Sequence, residues 1–441
     1  MPETFDLLIR NGTVVNHDGT GLRDIGVRGG RIAAIGSLAQ ASAGESIDAT
    51  GLHVLPGVID TQVHFREPGA THKEDLETGS RAAVLGGVTA VFEMPNTNPP
   101  TTSCEALADK VARATHRMHC DFAFWVGGTA ETIADIPELE QLLGSAGIKV
   151  FAGSSTGDLL VEDEATLAAI LSLTSRRAAF HSESEPRLRA RMAERREGDP
   201  ASHSVWRDAQ AALDCTVMLV RLAEAARKPI HILHVSTAEE MALLSAHKKL
   251  VSVEVTPQHL TLTAEEAYPR LGTSAQMNPP LRSAEHQRAL WRGLADGVAD
   301  ILGSDHAPHT LEEKAKPYPA SPSGMPGVQT LLPVMLDHVA AGRLSLARLV
   351  DMTSAGPQRL FGIAGKGRIA VGYDADFSIV DLAAQRTIEN GKMASRSGWT
   401  PFDGRRVTGW PIGTIIRGRK VMWDGELTGP SSGEPVNFLG T

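Results

Sequence analysis

Residues 58–69 place several chemically reactive side chains directly after an apolar run. Four polar residues recur there at every second position: Asp60, Gln62, His64 and Arg66. Because side chains alternate between the two faces of a β-strand, these four are expected on one face. A face that carries a carboxylate, an amide, an imidazole and a guanidinium does not suit an apolar core. The spacing therefore predicts the floor of a polar active site.

Further residues that can bind a metal ion or a substrate lie on later apolar runs or directly after them. These are Asn96, Lys149, His181, His234, Asn278, Asp305 and His309. Imidazole and carboxylate groups are usual ligands of a hydrolytic Zn²⁺ ion, which lowers the pKa of a bound water to ~7. Each residue alone has a simpler explanation, since a strand-end histidine is often a core residue and Asp305 suits a helix N-cap. Their recurrence at successive strand ends favours a metal-dependent hydrolase.

The elements that would position these residues alternate between short apolar segments and longer amphipathic ones. Predicted strands are Val58–Phe65, Thr89–Met94, Asp121–Val126, Gly147–Phe151, Ala178–His181, Pro229–His234, Leu250–Val255 and Asp300–Ser304. Predicted helices are Glu77–Leu85, Cys104–His116, Glu138–Ala146, Asp163–Thr174, Asp208–Ala226, Glu239–His247 and Ala284–Gly297. This alternation predicts a (β/α)8 TIM barrel with its active site at the carboxyl ends of the strands, and a doubly wound open sheet is the alternative.

The two ends of the chain differ from this pattern, because they consist of short strands and turns. After the barrel, predicted strands are Gly367–Ile369, Asp376–Asp381, Gly413–Arg417 and Lys420–Trp423. We expect residues 1–55 and 366–441 to pair as one small β-sandwich domain, with residues 56–365 as the barrel. The segment Lys316–Gly327 is positioned to line the pocket, and the tail from Gly429 is predicted to be loosely held.

Composition argues against several functional classes. The 441 residues carry a net charge of −9 and contain no Lys- or Arg-rich run, which argues against nucleic-acid binding. Cys104, Cys120 and Cys215 lack the spacing of a disulfide framework or a thiolate metal site. No apolar run approaches the ~20 residues of a transmembrane helix, and the first residues lack a signal-peptide pattern. These features predict a cytoplasmic protein that does not bind membranes.

Several strings of residues are specific enough to indicate a family. They are His64-Phe-Arg-Glu-Pro-Gly69, Met94-Pro-Asn-Thr97, Phe180-His-Ser-Glu183, His231-Ile-Leu-His-Val-Ser236, Gly303-Ser-Asp-His-Ala-Pro-His309 and Gly372-Tyr-Asp-Ala-Asp-Phe377. Over essentially its whole length, the chain resembles the dihydroorotase family, a group of cyclic amidohydrolases in the amidohydrolase superfamily. The resemblance implies an enzyme of de novo pyrimidine biosynthesis that reversibly closes N-carbamoyl-L-aspartate to L-dihydroorotate with loss of water.

The resemblance also implies a zinc centre. Lys149 would be carboxylated by CO₂ to a carbamate that bridges two metal ions, which requires the neutral amine that burial favours. His181 and His234 would hold one Zn²⁺ ion, and His64 with Asp305 would hold the other. Asp305 would also accept the proton of the attacking water and return it to the leaving amide nitrogen.

The same resemblance assigns substrate-binding roles to four further residues. Arg66, Asn96 and His309 would bind the substrate carboxylate, the arginine through two parallel N–H groups. Asn278 would contact the pyrimidine ring. The resemblance further implies a homodimer and leaves open an association with aspartate transcarbamoylase.

One position departs from the superfamily pattern. The usual His-x-His of the first strand is Gln62-Val-His64 in this chain. A carboxamide is a weaker donor to Zn²⁺ than imidazole, so the metal ion nearest Gln62 is expected to bind less tightly. A subgroup of dihydroorotase-like sequences also carries this glutamine, and the ligand set fits either one or two Zn²⁺ ions per chain.

Two alternative functions remain. An allantoinase or hydantoinase would share the barrel, the lysine and the histidines, but a neutral ring does not need the grip of Arg66, Asn96 and His309. A catalytically impaired structural partner of aspartate transcarbamoylase would explain Gln62. Against that alternative, the remaining metal-ligand residues are all present in the sequence.

Overall fold

The computed structural model describes residues 4–154 and 159–440. The described chain begins with β1 (Thr4–Asn16), β2 (Gly19–Arg28), β3 (Arg31–Gly36), β4 (Ser42–Asp48) and β5 (His53–Pro56). Strands β1, β2 and β3 pair in antiparallel order, while β4 and β5 pair with β1 in parallel. Their buried side chains, among them Leu7, Ile25 and Ile32, form a core that is separate from the core of the barrel.

Eight of the described strands form a parallel barrel. They are β6 (Val58–Val63), β7 (Val88–Glu93), β8 (Asp121–Gly127), β9 (Ser145–Phe151), β10 (Ala178–His181), β11 (Ile230–Ile232), β12 (Val251–Val255) and β13 (Ile301–Leu302). Each strand pairs with the next along the chain, and the barrel closes where Val63 meets His306 in a parallel bridge. The strands are buried along their length, as expected for a sheet covered by helices. The predicted barrel is confirmed.

The helices lie in the connections between these strands and in the segment that follows β13. In chain order they are α1 (Leu76–Leu85), α2 (Cys104–Ala114), α3 (Ile136–Leu139), α4 (Glu164–Leu173), α5 (Glu185–Ala190), α6 (Ser202–Trp206), α7 (Ala209–Ala226), α8 (Ala238–Ser245), α9 (Pro257–Thr261), α10 (Ala264–Leu271), α11 (Ala284–Ala295), α12 (Leu311–Lys314), α13 (Leu331–Ala340), α14 (Leu346–Val350) and α15 (Gly356–Phe361). A π-helical turn, Asp351–Ala355, joins the last two. Side chains of Asp75, Ser103 and Asp163 cap the first turns of α1, α2 and α4.

One predicted helix, Glu138–Ala146, is wrong in most of its length. The helix in this region, α3, ends at Leu139, and Ser145 already begins β9. Gly144 has a φ of 82°, a conformation that ends helical geometry and favours glycine. Ser145 then pairs with Phe124 of β8, so strand pairing prevails over the local helical pattern.

After the barrel the chain returns to the β-domain with β14 (Phe377–Thr387), β15 (Arg406–Ile416), β16 (Arg419–Trp423) and β17 (Glu426–Leu427). Strand β14 pairs with β5, so both ends of the described chain share one nine-stranded sheet, as predicted. The predicted strand Gly367–Ile369 is wrong. Gly367 has a φ of 84°, and the N–H of Ile369 donates to the side-chain Oδ1 of Asn16 instead of to a main-chain oxygen of a paired strand. The domain boundaries at residues 56 and 365 stay a prediction.

The prediction of a loosely held C-terminal tail is also wrong. Pro435 forms a parallel bridge with Phe122 at the start of β8. The side chains of Val436 and Phe438 are buried beside Trp125, at the amino-terminal end of the barrel. Burial of these two apolar side chains holds the tail against the barrel, although its glycine and serine content is typical of a flexible segment.

Two findings concern the helices and the cysteines. Within residues 4–154 and 159–440, no helix is both long enough and apolar enough to cross a membrane. Cys104, Cys120 and Cys215 are free thiols.

Candidate active site

A cavity opens at the carboxyl ends of the barrel strands. Its wall is formed by Gln62, His64, Arg66, Asn96, Lys149, Phe151, His181, His234, Asn278, Asp305, Ala307, Ser323 and Gly324. Eight of the nine predicted site residues are in this wall, because parallel strands carry their carboxyl ends to one side of a barrel. The ninth, His309, lies behind Arg66. Ser323 and Gly324 belong to the segment Lys316–Gly327, which therefore lines the cavity as predicted.

His181 and His234 come from neighbouring strand ends and face each other. Nδ1 of His181 lies 3.0 Å from Nε2 of His234. Nε2 of His181 lies 3.0 Å from the carboxylate of Glu183 and donates to it, so Nδ1 turns its lone pair toward His234. Two nitrogen ligands of one tetrahedral Zn²⁺ ion lie roughly 3.3 Å apart, given Zn–N distances of about 2.0–2.1 Å. This spacing fits a metal ion held by both rings.

Burial sets the protonation of the candidate histidine ligands. It lowers the pKa of His64 and His181 and holds the pKa of His234 well below its ordinary value. Each ring is therefore neutral near pH 7, which metal ligation requires. Nδ1 of His234 is buried and has no hydrogen-bond partner among the described residues. The site thus offers unprotonated imidazole nitrogens at the cavity.

Lys149 lies on β9 with only 1% of its surface exposed. Its Nζ donates to the main-chain oxygen of Val150 at 2.8 Å and lies 3.8 Å from the ring centroid of Phe151. Burial holds the pKa of Lys149 well below its ordinary value, which favours the neutral amine that reacts with CO₂. In the described part of the chain, no three histidine, cysteine or carboxylate side chains form a metal site by themselves. A carbamate on Lys149 would supply the missing anionic ligand.

The second group of candidate ligands surrounds Asp305. Nε2 of His64 lies 3.3 Å from Oδ1 of Asp305, and Nε2 of Gln62 donates to the same oxygen at 3.2 Å. Nδ1 of His64 lies 2.8 Å from Oδ1 of Asn96. When Nδ1 carries the proton and donates to Asn96, the lone pair of Nε2 points toward Asp305 and is available to a metal ion. His64 and Asp305 therefore fit a second, separate set of ligands.

The backbone is strained at three residues of this wall. Arg66, His234 and Asp305 have φ values of 63°, 38° and 43°. Residues other than glycine seldom adopt such conformations, which cost about 1–3 kcal/mol each and persist where the surrounding fold determines them. The strained positions lie just beyond strand ends, where they turn functional side chains into the cavity.

Arg66 is a buried cation at the cavity wall. Its Nε donates to the main-chain oxygen of Pro308 at 3.2 Å, and Nη2 lies 3.4 Å from Nε2 of His309. Burial lowers the pKa of Arg66 to about 10, so the side chain remains charged at pH 7. His309 is fully buried and accepts a hydrogen bond from Lys73 at Nδ1, 3.1 Å away. Its direct contact with substrate stays a prediction, because the structure places it behind Arg66.

Sequence reasoning missed the carboxylate that orients His181. Glu183 accepts hydrogen bonds from His181 and from Arg207. Burial alone would raise the pKa of Glu183, but Arg207 and His181 hold it well below its usual range. The carboxylate therefore stays ionised and fixes the tautomer of His181. The sequence could have indicated the contact between His181 and Glu183, because the two residues are two positions apart at a strand end. No sequence pattern indicates that Arg207 contacts Glu183.

Two further carboxylates lie deeper in the barrel. Asp60 accepts the main-chain N–H groups of Gln62 at 3.2 Å and Ser304 at 3.0 Å, which links the first and last strands. Glu254 accepts the hydroxyl of Thr61 at 3.1 Å. Burial raises the pKa of Asp60 to about 7 and that of Glu254 to about 8. Asp60 therefore supports barrel closure and does not line the cavity.

Known proteins resemble the chain over nearly its whole length. A model of the Amidohydrolase family matches residues 53–421. A dihydroorotase of Methanothermobacter thermautotrophicus is 37% identical over 96% of this chain and 95% of its own, and several other dihydroorotases match at similar coverage. An allantoinase of Rubrobacter xylanophilus is also 37% identical, over 98% and 97% of the two chains. The solved L-hydantoinase (dihydropyrimidinase) of Arthrobacter aurescens has a TM-score of 0.94 at 32% identity, covering 98% and 99%. Identity alone does not separate these activities, so the choice depends on the chemistry of the cavity.

Proposed function

The chain belongs to the amidohydrolase family, and on that premise we propose that it is a dihydroorotase. The proposed reaction is the reversible hydrolysis of L-dihydroorotate to N-carbamoyl-L-aspartate in de novo pyrimidine biosynthesis. The observation that carries the proposal is the buried, charged Arg66 beside Asn96 in the same wall as the metal-ligand residues. The ring of dihydroorotate bears a carboxylate that a buried guanidinium can bind, whereas allantoin bears none. The recurrence of dihydroorotases among the relatives supports the same choice.

Zn²⁺ is the proposed cofactor, and two sets of side chains would hold it. His181, His234 and a carboxylated Lys149 form the first set, and His64 with Asp305 forms the second. A bound metal ion supplies Lewis-acid polarisation of the scissile amide and lowers the pKa of water. The first set is the stronger one, because it offers two imidazoles and an anionic carbamate, whereas the second offers one imidazole and one carboxylate beside the weakly donating amide of Gln62.

Side chains of the cavity would bind the substrate and transfer protons. Arg66 binds the substrate carboxylate, and Asn96, whose side-chain oxygen lies 2.8 Å from Nδ1 of His64, lines the same wall. This grip directs the scissile amide toward the strand ends that carry His181. Asp305 accepts the proton of the attacking water and delivers it to the leaving amide nitrogen. The hydrogen bond from Gln62 holds the carboxylate of Asp305 in place for both transfers.

The proposal is tested by assaying purified protein on L-dihydroorotate, allantoin and a 5-substituted hydantoin, with and without added Zn²⁺. Metal content is measured on the same preparation by elemental analysis. We expect zinc in the protein and turnover of dihydroorotate. A metal-replete protein that hydrolyses allantoin or the hydantoin, but not dihydroorotate, contradicts the substrate assignment. A metal-free, inert protein that co-purifies with aspartate transcarbamoylase supports the structural-partner alternative.

Replacing Arg66 by methionine is expected to raise KM for L-dihydroorotate by about 10²-fold, because charge-assisted hydrogen bonds to the carboxylate are lost. The effect on kcat should be smaller, since Arg66 does not contact the scissile bond. Steady-state kinetics in both reaction directions measures the change. The exposed Arg189→Met variant, which loses surface ion pairs with Glu162 and Glu185, is the matched control. An unchanged KM in Arg66→Met would show that the carboxylate binds elsewhere.

Replacing Gln62 by histidine is expected to increase the zinc that survives dialysis from about one ion per chain to about two. The reason is that the amide facing the site donates to Asp305, whereas an imidazole supplies a metal-binding lone pair. Elemental analysis of both proteins measures the difference, and the exposed Gln141→His variant controls for an added surface histidine. Two ions in the wild-type protein would show that Gln62 does not weaken the second set.

The proposal extends to the setting of the enzyme. We place it in the cytoplasm as a homodimer that acts on small anionic substrates. Light scattering of the purified protein measures the oligomeric state. Co-purification with aspartate transcarbamoylase tests the association that the resemblance left open.

A further inference from the structure

We infer that His203 is a positioning residue that fixes the side-chain amide of Asn278, so that Asn278 presents an N–H donor to a carbonyl oxygen of the substrate ring. The inference rests on the proposed function for the identity of the ring. Asn278 is part of the cavity wall, whereas His203 lies behind it on α6, only 2% exposed. His203 therefore acts through Asn278 and does not touch the substrate.

The contacts of His203 converge on one nitrogen. Nε2 lies 2.9 Å from Oδ1 of Asn278, 3.2 Å from the main-chain oxygen of Met277 and 3.4 Å from Oγ of Ser323. This atom joins α6 to two segments of the wall, one between β12 and β13 and one after β13. The rings of Trp206 and Tyr318 contact the imidazole edge-on, with centroids 5.9 and 5.8 Å away. The plane of the imidazole is held by these neighbours.

The surroundings of His203 determine which nitrogen carries its proton. The main-chain oxygen of Met277 can only accept, so Nε2 must be the donor. Burial lowers the pKa of His203 to about 3, which keeps the ring neutral with a single N–H. The other nitrogen, Nδ1, is buried without a hydrogen-bond partner in the described part of the chain. The wall therefore selects the tautomer protonated at Nε2.

This tautomer in turn determines the orientation of the Asn278 amide. A donor at Nε2 of His203 requires the oxygen of the amide opposite it, because the amide nitrogen is itself a donor. The Nδ2 group of Asn278 is then on the branch that faces away from His203, in a residue that lines the cavity. A ring carbonyl oxygen complements that donor and a ring N–H does not. His203 thereby selects the kind of ring atom that Asn278 recognises.

The test is a double-mutant cycle between His203→Phe and Asn278→Ala, measured as KM and kcat for L-dihydroorotate. We expect each single variant to raise KM by about 10-fold with little change in kcat. In the Asn278→Ala background, His203→Phe should have no further effect, because the histidine acts only through the asparagine. His203→Gln retains a side-chain N–H and should restore most of the wild-type KM.

A purely structural role for His203 predicts other results. Additive effects in the cycle overturn the inference, as does a raised KM in His203→Gln at wild-type thermal stability. Asn278→Asp decides the question even when His203→Phe does not fold. The aspartate still accepts from His203 but has no N–H for the ring, so its KM should rise as in Asn278→Ala. An unchanged KM would mean that Asn278 presents oxygen to the substrate.

The wild-type protein distinguishes this inference from the proposed function. Absence of dihydroorotate turnover, with turnover of allantoin or a hydantoin, overturns the proposed function alone. The same cycle is then measured with that substrate, since each of these rings has carbonyl oxygens. For a wild-type protein without turnover, the cycle is measured on the Kd of L-dihydroorotate by calorimetry, with the same expectations.

Discussion

Replacing Asp305 by asparagine is expected to reduce kcat for L-dihydroorotate by about 10³-fold. Asparagine has nearly the same shape, and its oxygen can still accept the hydrogen bond from Gln62. It lacks a basic oxygen, however, so no side chain is positioned to carry the proton from water to the leaving nitrogen. Because Lys149, His181 and His234 are unchanged, we expect the zinc held by these three residues to remain bound.

Kinetics and elemental analysis of one preparation separate the two proposed roles of Asp305. Asp109→Asn is a matched control, because Asp109 is an exposed carboxylate paired with Arg113 far from the cavity wall. It should have wild-type turnover and metal content. Parallel loss of metal and activity in Asp305→Asn would show that Asp305 acts mainly as a metal ligand.

Replacing Lys149 by methionine is expected to remove the tightly held zinc and to reduce kcat by about 10³-fold or more, because a bound metal ion lowers the activation barrier by several kcal/mol. Methionine fills a similar volume but cannot form a carbamate. The variant should nevertheless be as thermally stable as the metal-free wild-type protein, since a buried amine is costly to desolvate and its loss leaves only one hydrogen bond, to Val150, unmade. Elemental analysis, kinetics and thermal unfolding measure the three effects.

A rescue experiment identifies the chemical group that Lys149 provides. Lys149→Ala leaves space beside Phe151, and a short-chain carboxylate added to the solution can supply two oxygens there. We expect such a carboxylate to restore part of the zinc content and turnover, whereas a short-chain amine should restore neither. Rescue by the amine alone would show that Lys149 acts without carboxylation. The exposed Lys392→Met variant controls for loss of a lysine charge.

Most of the barrel could be predicted from the sequence because its strands are short, apolar and separated by helical periodicity. Ala178–His181 was predicted with the bounds that the structure has. The failures occurred where local pattern and tertiary pairing disagree. Residues 138–146 have helical composition, but Gly144 turns the chain and Ser145 pairs with β8. No local sequence pattern predicts that pairing.

The residues of the candidate site also fall into those that the sequence could predict and those that it could not. His64, His181, His234 and Asp305 could be predicted together because parallel strands present their carboxyl ends on one side of the barrel. Arg207 and His203 could not, since His203 lies on α6 and Arg207 directly follows it, and the approach of this helix to the wall depends on long-range packing. Periodicity gives the face of an element, but it does not give the distance between side chains far apart in the chain.

The C-terminal tail has a consequence for how the molecule is made. Val436 and Phe438 close one end of a core whose strand residues, among them Phe92 and Trp125, are synthesised hundreds of residues earlier. A nascent chain on the ribosome can therefore pair all its barrel strands and still expose the side chains of Phe92 and Trp125. The side chains of Val436 and Phe438 can pack against this core only after residue 438 has left the exit tunnel. Until then, the unfinished barrel exposes apolar surface at this end, which a chaperone can bind.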